Sequence, residues 1–222
     1  MSKPFSWEAF YNIPLVGILR NVPLAKTKKL AGLYESCGLT TLEITMNSDK
    51  AAETISYLAE KFSGTLNIGA GTVCTMAELD LALTAGASFI VTPILDETVI
   101  KACVAKKVPI FPGAFTPTEI FRAWSLGADM VKVFPATRLG SSYIKDILAP
   151  LPQLKLLPTG GVTLENFTDF LQAGAKGLGV GSTLFPPSLI EQDNWTELTE
   201  LFSLFVSRFN NYAKYLGGNT DE

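Results

Sequence analysis

The chain has 222 residues, carries a formal net charge of −3 and contains no histidine. A weakly acidic chain has no general attraction for nucleic acid or for an anionic membrane, so neither is expected as a partner. The lack of histidine excludes serine–histidine and cysteine–histidine nucleophilic pairs and histidine metal ligands, and no metal or cofactor is expected. A hydrophobic fraction of 47% indicates a compact core, and this length suits one large domain.

No targeting or cross-linking signal stands out. No apolar stretch approaches the ~20 residues of a membrane span, and the first segment lacks the hydrophobic region of a signal peptide, so we expect a cytoplasmic protein. The three cysteines, Cys37, Cys74 and Cys103, have no C-x-x-C spacing. This pattern argues against disulfides or a zinc site, and we interpret all three as small core residues.

In chain order, a short amphipathic helix is predicted at residues 5–11, followed by alternating strands and helices. Eight short apolar or β-branched segments are predicted as strands: 13–20, 41–46, 66–73, 88–94, 108–115, 130–136, 155–162 and 177–184. The segments predicted as helices are 24–36, 49–62, 76–85, 96–106, 117–125, 143–148, 164–173 and 195–215. Residues 217–222 are predicted to be a frayed tail.

Four of these helices are predicted to end at a glycine, namely Gly38, Gly86, Gly127 and Gly174, where a C-cap favours the left-handed conformation. Each then runs into the next strand, which makes a weak internal repeat. Eight such units in one chain predict a closed (β/α)8 barrel with residues 1–222 as a single domain and the first helix capping the barrel floor. An open, doubly wound parallel sheet is the alternative fold.

Lys132 lies inside an apolar run, M-V-K-V-F-P, that is otherwise typical of a buried strand. Burying an unpaired ammonium costs several kcal/mol, and burial favours the neutral amine, which can attack a carbonyl to form a Schiff base. The alternative is a lysine near a strand end whose ammonium reaches water. Strand alternation turns Lys132 and Phe134 toward the barrel interior, and likewise Glu43 and Thr45 on the second strand. Glu43 is then either the acid/base for imine chemistry or one half of a structural salt bridge.

Two turns predict an anion site. Glycines follow the seventh strand at Thr159-Gly160-Gly161 and the eighth at Gly181-Ser182, where barrels often bind phosphate with backbone N–H groups. Arg20 and Thr72 end the first and third strands, where they can hold a carboxylate or phosphate or make local bonds at the rim. Pro93 is predicted to shape the pocket wall.

With these residues assembled, the chain resembles the class I, Schiff-base family of 2-keto-3-deoxy-6-phosphogluconate and 4-hydroxy-2-oxoglutarate aldolases. Two segments carry most of the resemblance, G-L-T-T-L-E-I-T-M-N at residues 38–47 and G-A-D-M-V-K-V-F-P-A-T-R-L-G at residues 127–140. The I-G-A-G-T-V, P-T-G-G-V and G-V-G-S segments extend it over nearly the whole chain. The resemblance implies a homotrimer that acts on a phosphorylated keto acid.

The resemblance also implies a role for each site residue. Lys132 would form the imine and Glu43 would be the acid/base. Thr72 and Thr159 would lie near the substrate carboxylate and Phe134 against the substrate. Gly160, Gly161, Gly181 and Ser182 would surround the phosphate.

One position departs from the gluconate-type pattern, because Asn47 stands where that branch has an anion-binding arginine. Asparagine has no charge and no bidentate fork, so the anion contact is lost or is made by another residue such as Arg20. The Asn47-Ser48 pair and the I-L-R of the first strand are more similar to the 2-keto-3-deoxy-6-phosphogalactonate branch, whereas P-T-G-G is more similar to the gluconate branch. The C4 configuration of the substrate and any cleavage of 4-hydroxy-2-oxoglutarate therefore stay open.

Two other functions are considered. The first is a barrel isomerase or epimerase of sugar phosphates in which Lys132 stabilises an enediolate without an imine. The second is a binding protein that uses the phosphate turns and does no chemistry.

Overall fold

The computed structural model of the chain describes residues 3–218, in which short strands alternate with helices. The strands are β1 (Leu15–Leu19), β2 (Thr41–Thr45), β3 (Asn67–Gly71), β4 (Ile90–Val91), β5 (Ile110–Phe111), β6 (Gly113–Ala114), β7 (Val131–Val133), β8 (Leu156–Pro158) and β9 (Leu178–Val180). The helices are α1 (Trp7–Asn12), α2 (Leu24–Ser36), α3 (Ala51–Lys61), α4 (Met76–Thr84), α5 (Glu97–Ala105), α6 (Pro117–Ser125), α7 (Gly140–Leu148), α8 (Phe167–Gln172), α9 (Pro187–Glu191) and α10 (Trp195–Gly218). All eight predicted strand segments contain a strand, and the predicted α/β class is confirmed.

All strand pairs are parallel and form two sheets. One sheet has the order β5-β4-β3-β2-β1-β9, and the other has the order β6-β7-β8. The strands of the larger sheet follow chain order from β1 to β5, without the reversal of a doubly wound sheet, so the alternative fold is wrong. An isolated parallel bridge between Thr159 and Gly179 links the end of β8 to β9.

The fifth predicted strand is interrupted at Pro112, which separates β5 from β6. Proline has no N–H to donate to a ladder, which explains the break. Its carbonyl still accepts a 2.9 Å hydrogen bond from the Lys132 N–H. The two short strands therefore pair with different neighbours, β5 with β4 and β6 with β7.

Local sequence signals fix six of the helix ends. Gly38, Gly86, Gly127 and Gly174 have φ between 90° and 102°, which confirms the predicted left-handed C-cap positions. At the N-terminal ends, Thr75 with Glu78 and Thr116 with Glu119 form capping boxes before α4 and α6. Each helix is thereby held to a length that returns the chain to the next strand.

Several predicted boundaries are wrong. Helix α7 begins at Gly140 rather than at residue 143, and α10 runs through Gly217 to Gly218, because glycine weakens a helix by only about 1 kcal/mol. The rest of the predicted tail, 219–222, lies outside the described residues. Helix α8 is shorter than predicted, and neither α9 nor the 3-10 helix Ala136–Arg138 was predicted.

The three cysteines were interpreted as core residues. Cys103 is buried, whereas Cys37 and Cys74 are half-buried.

The apolar core has two parts on opposite faces of the sheets. The larger part lies between strands and helices and includes Leu42, Ile44, Val131 and Val133, as strand alternation predicts. The smaller part packs α1 against the other face of the strands; its buried members are Phe5, Phe10, Val16, Phe89, Val91, Phe111, Met130 and Leu157. Within residues 3–218, none of the helices is both long and apolar enough to cross a bilayer.

Candidate active site

Lys132 is the middle residue of β7, between β6 and β8, where it is in register with Gly113 and Leu157. Its neighbours Val131 and Val133 face the helices, so its side chain lies on the opposite face, as predicted. Only 5% of the residue is exposed. Lys132 is therefore almost wholly buried, as the apolar run around it predicts.

Glu43 is buried at the centre of β2, with 1% exposure. Its Oε2 atom has no hydrogen-bond partner among the described residues. Gly71 on the adjacent strand makes room for the carboxylate, because a Cβ at that position would overlap Glu43 Oε1. Glu43 and Lys132 form no direct ion pair within residues 3–218, so the predicted alternative of a structural salt bridge is wrong.

Burial displaces the pKa values of both groups toward their neutral forms. Burial raises the pKa of the Glu43 carboxyl, and the charges of Lys132 and Arg20 only partly oppose this shift. Burial lowers the pKa of the Lys132 ammonium, opposed by Glu43 and reinforced by Arg20. Both shifts favour the forms that imine chemistry uses, the neutral amine as nucleophile and the protonated carboxyl as acid.

A cavity of about 240 Å³ lies at the strand ends, and neither Lys132 nor Glu43 is part of its lining. The lining contains seven of the predicted site residues, namely Arg20, Phe134, Thr159, Gly160, Gly161, Gly181 and Ser182. The Lys132 Nζ atom lies 5.0 Å from the centroid of the ring of Phe134, one of the lining residues. The two glycine turns and the arginine that sequence reasoning assigned to an anion therefore lie around one space.

The glycine turn after β8 is tightly packed. Gly160 and Gly161 have φ of 90° and 74°, which glycine alone adopts readily. A Cβ on Gly161 would lie 2.8 Å from Thr137 Cα. The turn is also tied from below, because Asn166 Nδ2 donates a 2.8 Å hydrogen bond to the Gly161 carbonyl. Its backbone N–H groups are therefore held in place before any ligand binds.

The other predicted site residues lie outside the lining of this cavity. Thr45 is fully buried at the end of β2, whereas Asn47 is exposed in the following turn. Thr72 has a left-handed φ of 56°, which is strained for a β-branched residue and is typical of functional sites. Pro93 lies against Gly113, since a Cβ on that glycine would overlap the Pro93 carbonyl.

Sequence reasoning missed five residues of the site. Four of them, Ile18, Val162, Gly179 and Thr183, line the cavity. Thr183 Oγ1 donates a 2.6 Å hydrogen bond to the Val162 carbonyl, which joins the two loops. Asn166 fixes the glycine turn from outside the cavity. Ile18 could have been found by alternation from Arg20, but the Thr183–Val162 hydrogen bond joins two loops that no sequence pattern pairs.

Comparison with known proteins places the chain in a family. The family model described as "Aldolase: KDPG and KHG aldolase" matches residues 8–201. The chain belongs to the KDPG and KHG aldolase family. It is therefore an aldolase, a carbon–carbon lyase, and the resemblance found in its motifs is confirmed.

Members of both named branches are similar to this aldolase. A "Probable 2-dehydro-3-deoxy-6-phosphogalactonate aldolase" of Rhizobium meliloti is 35% identical over 81% of this chain and 85% of its own length. A "2-dehydro-3-deoxy-phosphogluconate aldolase" of Haemophilus influenzae is 38% identical over 78% of this chain and 81% of its own. The crystal structure of a KDPG aldolase from Legionella pneumophila, with pyruvate captured as a covalent carbinolamine, has a TM-score of 0.81 at 28% identity, over 88% of this chain and 95% of that one.

Proposed function

We propose that this class I aldolase cleaves 2-keto-3-deoxy-6-phosphogluconate, or its galactonate epimer, to pyruvate and glyceraldehyde 3-phosphate through an imine at Lys132. The observation that carries the proposal is the buried pair of Lys132 and Glu43, which are not bonded to each other, beside a cavity lined by Arg20 and two glycine turns. An amine, a proton carrier and an anion site are the parts that this cleavage requires.

The pKa directions suit a cycle that starts from a neutral amine and a protonated carboxyl. Lys132 Nζ attacks the C2 ketone, and the carbinolamine loses water with a proton from Glu43 to give an iminium. The Glu43 carboxylate then takes the C4 hydroxyl proton while the C3–C4 bond breaks. The bond electrons move into the iminium and form a neutral enamine, and glyceraldehyde 3-phosphate leaves.

The second half of the cycle restores both groups. Glu43 gives its proton to C3 of the enamine, which becomes the pyruvate iminium. Water adds to that iminium while Glu43 accepts a proton, and collapse of the carbinolamine releases pyruvate and the free amine. Glu43 thus carries each proton in turn, which its raised pKa favours.

The proposed positions of the substrate follow from the lining of the cavity. The phosphate lies between the Gly160-Gly161 turn and the Gly181-Ser182 turn, with Arg20 as its charged partner. The keto acid end lies toward Lys132, with Thr159 and Phe134 beside it. Thr72, Thr45, Pro93 and Asn47 are proposed as outer contacts of the substrate.

The test is trapping with pyruvate and borohydride. Reduction of the imine should give a permanent adduct on Lys132, and an adduct on another lysine, or none, would contradict the mechanism. An isomerase that works through an enediolate would give no adduct, and a binding protein would be stabilised by ligand without turnover. We expect full activity in EDTA, since no step of the cycle uses a metal.

Similar proteins are named as aldolases of the galactonate and of the gluconate epimer. The substrate preference of this chain therefore has to be measured. Values of kcat/KM on the gluconate and galactonate phosphates, for the wild type and Asn47→Arg, would identify the discriminating residue. If the variant keeps the wild-type preference, Asn47 does not set the epimer. Cleavage of 4-hydroxy-2-oxoglutarate to pyruvate and glyoxylate belongs in the same assay.

We further propose that the two sheets form one closed (β/α)8 barrel and a single domain. This is supported by the bridge between Thr159 and Gly179 and by the single residue, Pro112, that separates β5 from β6. In this arrangement α1 caps the barrel floor, in keeping with its contacts to strand residues. A crystal structure with an unpaired gap between β8 and β9 would contradict closure.

A homotrimer is proposed from the family resemblance and from large apolar side chains that are exposed on the β4–α5 and β5–α6 units. These are Ile94, Phe115 and Phe121. Sedimentation at micromolar concentration should give three times the 23.9 kDa chain mass. The cytoplasmic location stays a prediction, which cell fractionation would test.

A further inference from the structure

Ser48 connects the two loops that follow β1 and β2. Its Oγ atom accepts a 2.8 Å hydrogen bond from the Asn21 N–H, and it lies 2.9 Å from Thr45 Oγ1. The Ser48 N–H also donates a 2.9 Å bond to the Thr45 carbonyl, which closes the turn after β2. Contacts with Thr45 at the end of β2 therefore hold Ser48 in place, and its hydroxyl supports the loop after β1 at Asn21.

This support acts just beyond the end of the β1–β2 ladder. The last register pair joins Leu19 to Ile44, so Arg20 and Asn21 continue past the ladder. Asn21 adopts a left-handed φ of 53°, which is uncommon outside glycine and is tolerated best by asparagine and aspartate. The hydrogen bond to Ser48 thus holds a backbone turn that the ladder does not reach.

Arg20 lies between these two fixed points. Leu19 before it is held in β1, and Asn21 after it is held by Ser48. The Arg20 side chain lines the 240 Å³ cavity, whereas Asn47, next to Ser48, is exposed and does not. A long arginine side chain loses conformational entropy when it binds an anion. If the backbone is already fixed, the total entropy lost on binding is smaller.

We propose that Ser48 is a positioning residue that fixes the turn after β1 so that Arg20 is directed at the anionic group of the substrate. In this account the segment after β2 contributes through a hydroxyl that supports the arginine just after β1, and not through a charge of its own. The inference rests on the proposed function for the identity of the anion, but Arg20 and Ser48 can be tested with inorganic phosphate alone.

The experiment measures phosphate affinity by thermal shift and KM and kcat on the phosphorylated keto acid. Ser48→Ala should weaken phosphate binding and raise KM by roughly 3- to 10-fold, the worth of one hydrogen bond, with kcat changed by less than about twofold. Ser48→Thr keeps the hydroxyl and should restore both values. Ser36→Ala is the matched control, since Ser36 is exposed on helix α2 and its hydroxyl donates to the Leu33 carbonyl of the same helix.

A double-mutant cycle with Arg20→Met separates positioning from a general structural effect. If Ser48 acts through Arg20, Ser48→Ala should cost nothing further once Arg20 is replaced. Additive losses, a Ser48→Ala variant with wild-type KM and phosphate affinity, or an Arg20→Met variant with unchanged phosphate affinity would each overturn the proposal.

Failure of the proposed function has a different signature. Pyruvate lacks the phosphate, so borohydride trapping on Lys132 should proceed equally in the wild type and in Ser48→Ala. No adduct in the wild type would overturn the imine mechanism. The phosphate measurements would still test whether Ser48 positions Arg20. A normal adduct with additive losses would overturn the role of Ser48 alone.

Discussion

The strand face against which α1 packs is apolar at one end and carries ionisable groups at the other. At the end covered by α1, Phe5, Phe10, Phe89 and Phe111 pack ring against ring, with centroids 5.3 to 6.2 Å apart. At the other end, the same face carries buried Glu43 and Lys132 with no ion pair between them. Burial of the aromatic rings stabilises the fold. Burial of the two ionisable groups at the other end costs free energy but provides the reactive side chains.

The largest expected effect comes from Lys132→Met, which removes the nucleophile and nearly preserves its volume. Activity should fall by at least about 10⁴-fold, and the borohydride adduct should vanish. Stability should hold or rise, because a buried amine is replaced by an apolar side chain. Lys145→Met on the exposed face of α7 is the control for both measurements. A marked loss of stability in Lys132→Met would mean that the amine supports the fold.

Glu43→Gln should lower kcat by roughly 10²- to 10⁴-fold, the usual range for a lost acid/base group. Trapping of pyruvate should become slower as well, because loss of water from the carbinolamine needs a proton. Stopped-flow kinetics and mass spectrometry of the adduct would measure the two effects. Equal rates in Glu43→Gln and the wild type would place the acid/base elsewhere. Glu60→Gln, at an exposed position of α3, is the matched control.

The aromatic end is tested by Phe10→Ala, which should destabilise the protein by about 3–5 kcal/mol because Phe10 is fully buried. The neighbouring Tyr11 is 45% exposed, so Tyr11→Ala should cost less than about 1 kcal/mol. Urea unfolding would measure both free energies. Where Phe10→Ala is still folded, kcat should be close to that of the wild type; a large loss of kcat would couple the two ends.

The smallest effect is the pH dependence of stability. The raised pKa of Glu43 means that the folded state binds its proton more tightly than the unfolded state does. Stability from this group is present below the unfolded pKa and is lost as pH rises through the folded one. Glu43→Gln removes that loss, so its stability relative to the wild type should increase as pH rises above about 4.3, the ordinary pKa of an unfolded glutamate.

Lys132 should act in the opposite direction along the pH scale. Its lowered pKa means that the unfolded state binds the proton more tightly, so the wild type gains stability as pH rises toward the unfolded value. The stability advantage of Lys132→Met over the wild type should therefore shrink as pH rises toward about 10.4, the ordinary pKa of lysine. Urea unfolding at each pH would measure it, and a constant difference would contradict the burial of the ammonium.

Much of this division could be predicted from sequence because it follows from strand alternation. A period of two placed Lys132 and Glu43 opposite Val131 and Leu42, and the structure has them on those faces. The four glycines at helix ends were predictable for a similar local reason. These features depend on residues that are close together in the chain, so they can be predicted from a single sequence.

The rest depends on contacts between distant segments. The Asn21–Ser48 and Thr183–Val162 hydrogen bonds join loops that are 27 and 21 residues apart in the chain. The break at Pro112 was visible as a proline, but the pairing of its two sides with different strands was not. Such features depend on how the strands meet, which hydrophobic periodicity does not encode.

The missing side chain at Gly71 ties two positions of the chain together. A Cβ there would overlap the Glu43 carboxylate, so a methyl at residue 71 would force the carboxylate of residue 43 to shift. A lineage that accepts alanine at residue 71 must therefore move or shorten the acid at residue 43. The position of the proton carrier thus depends on the absence of a side chain on the adjacent strand.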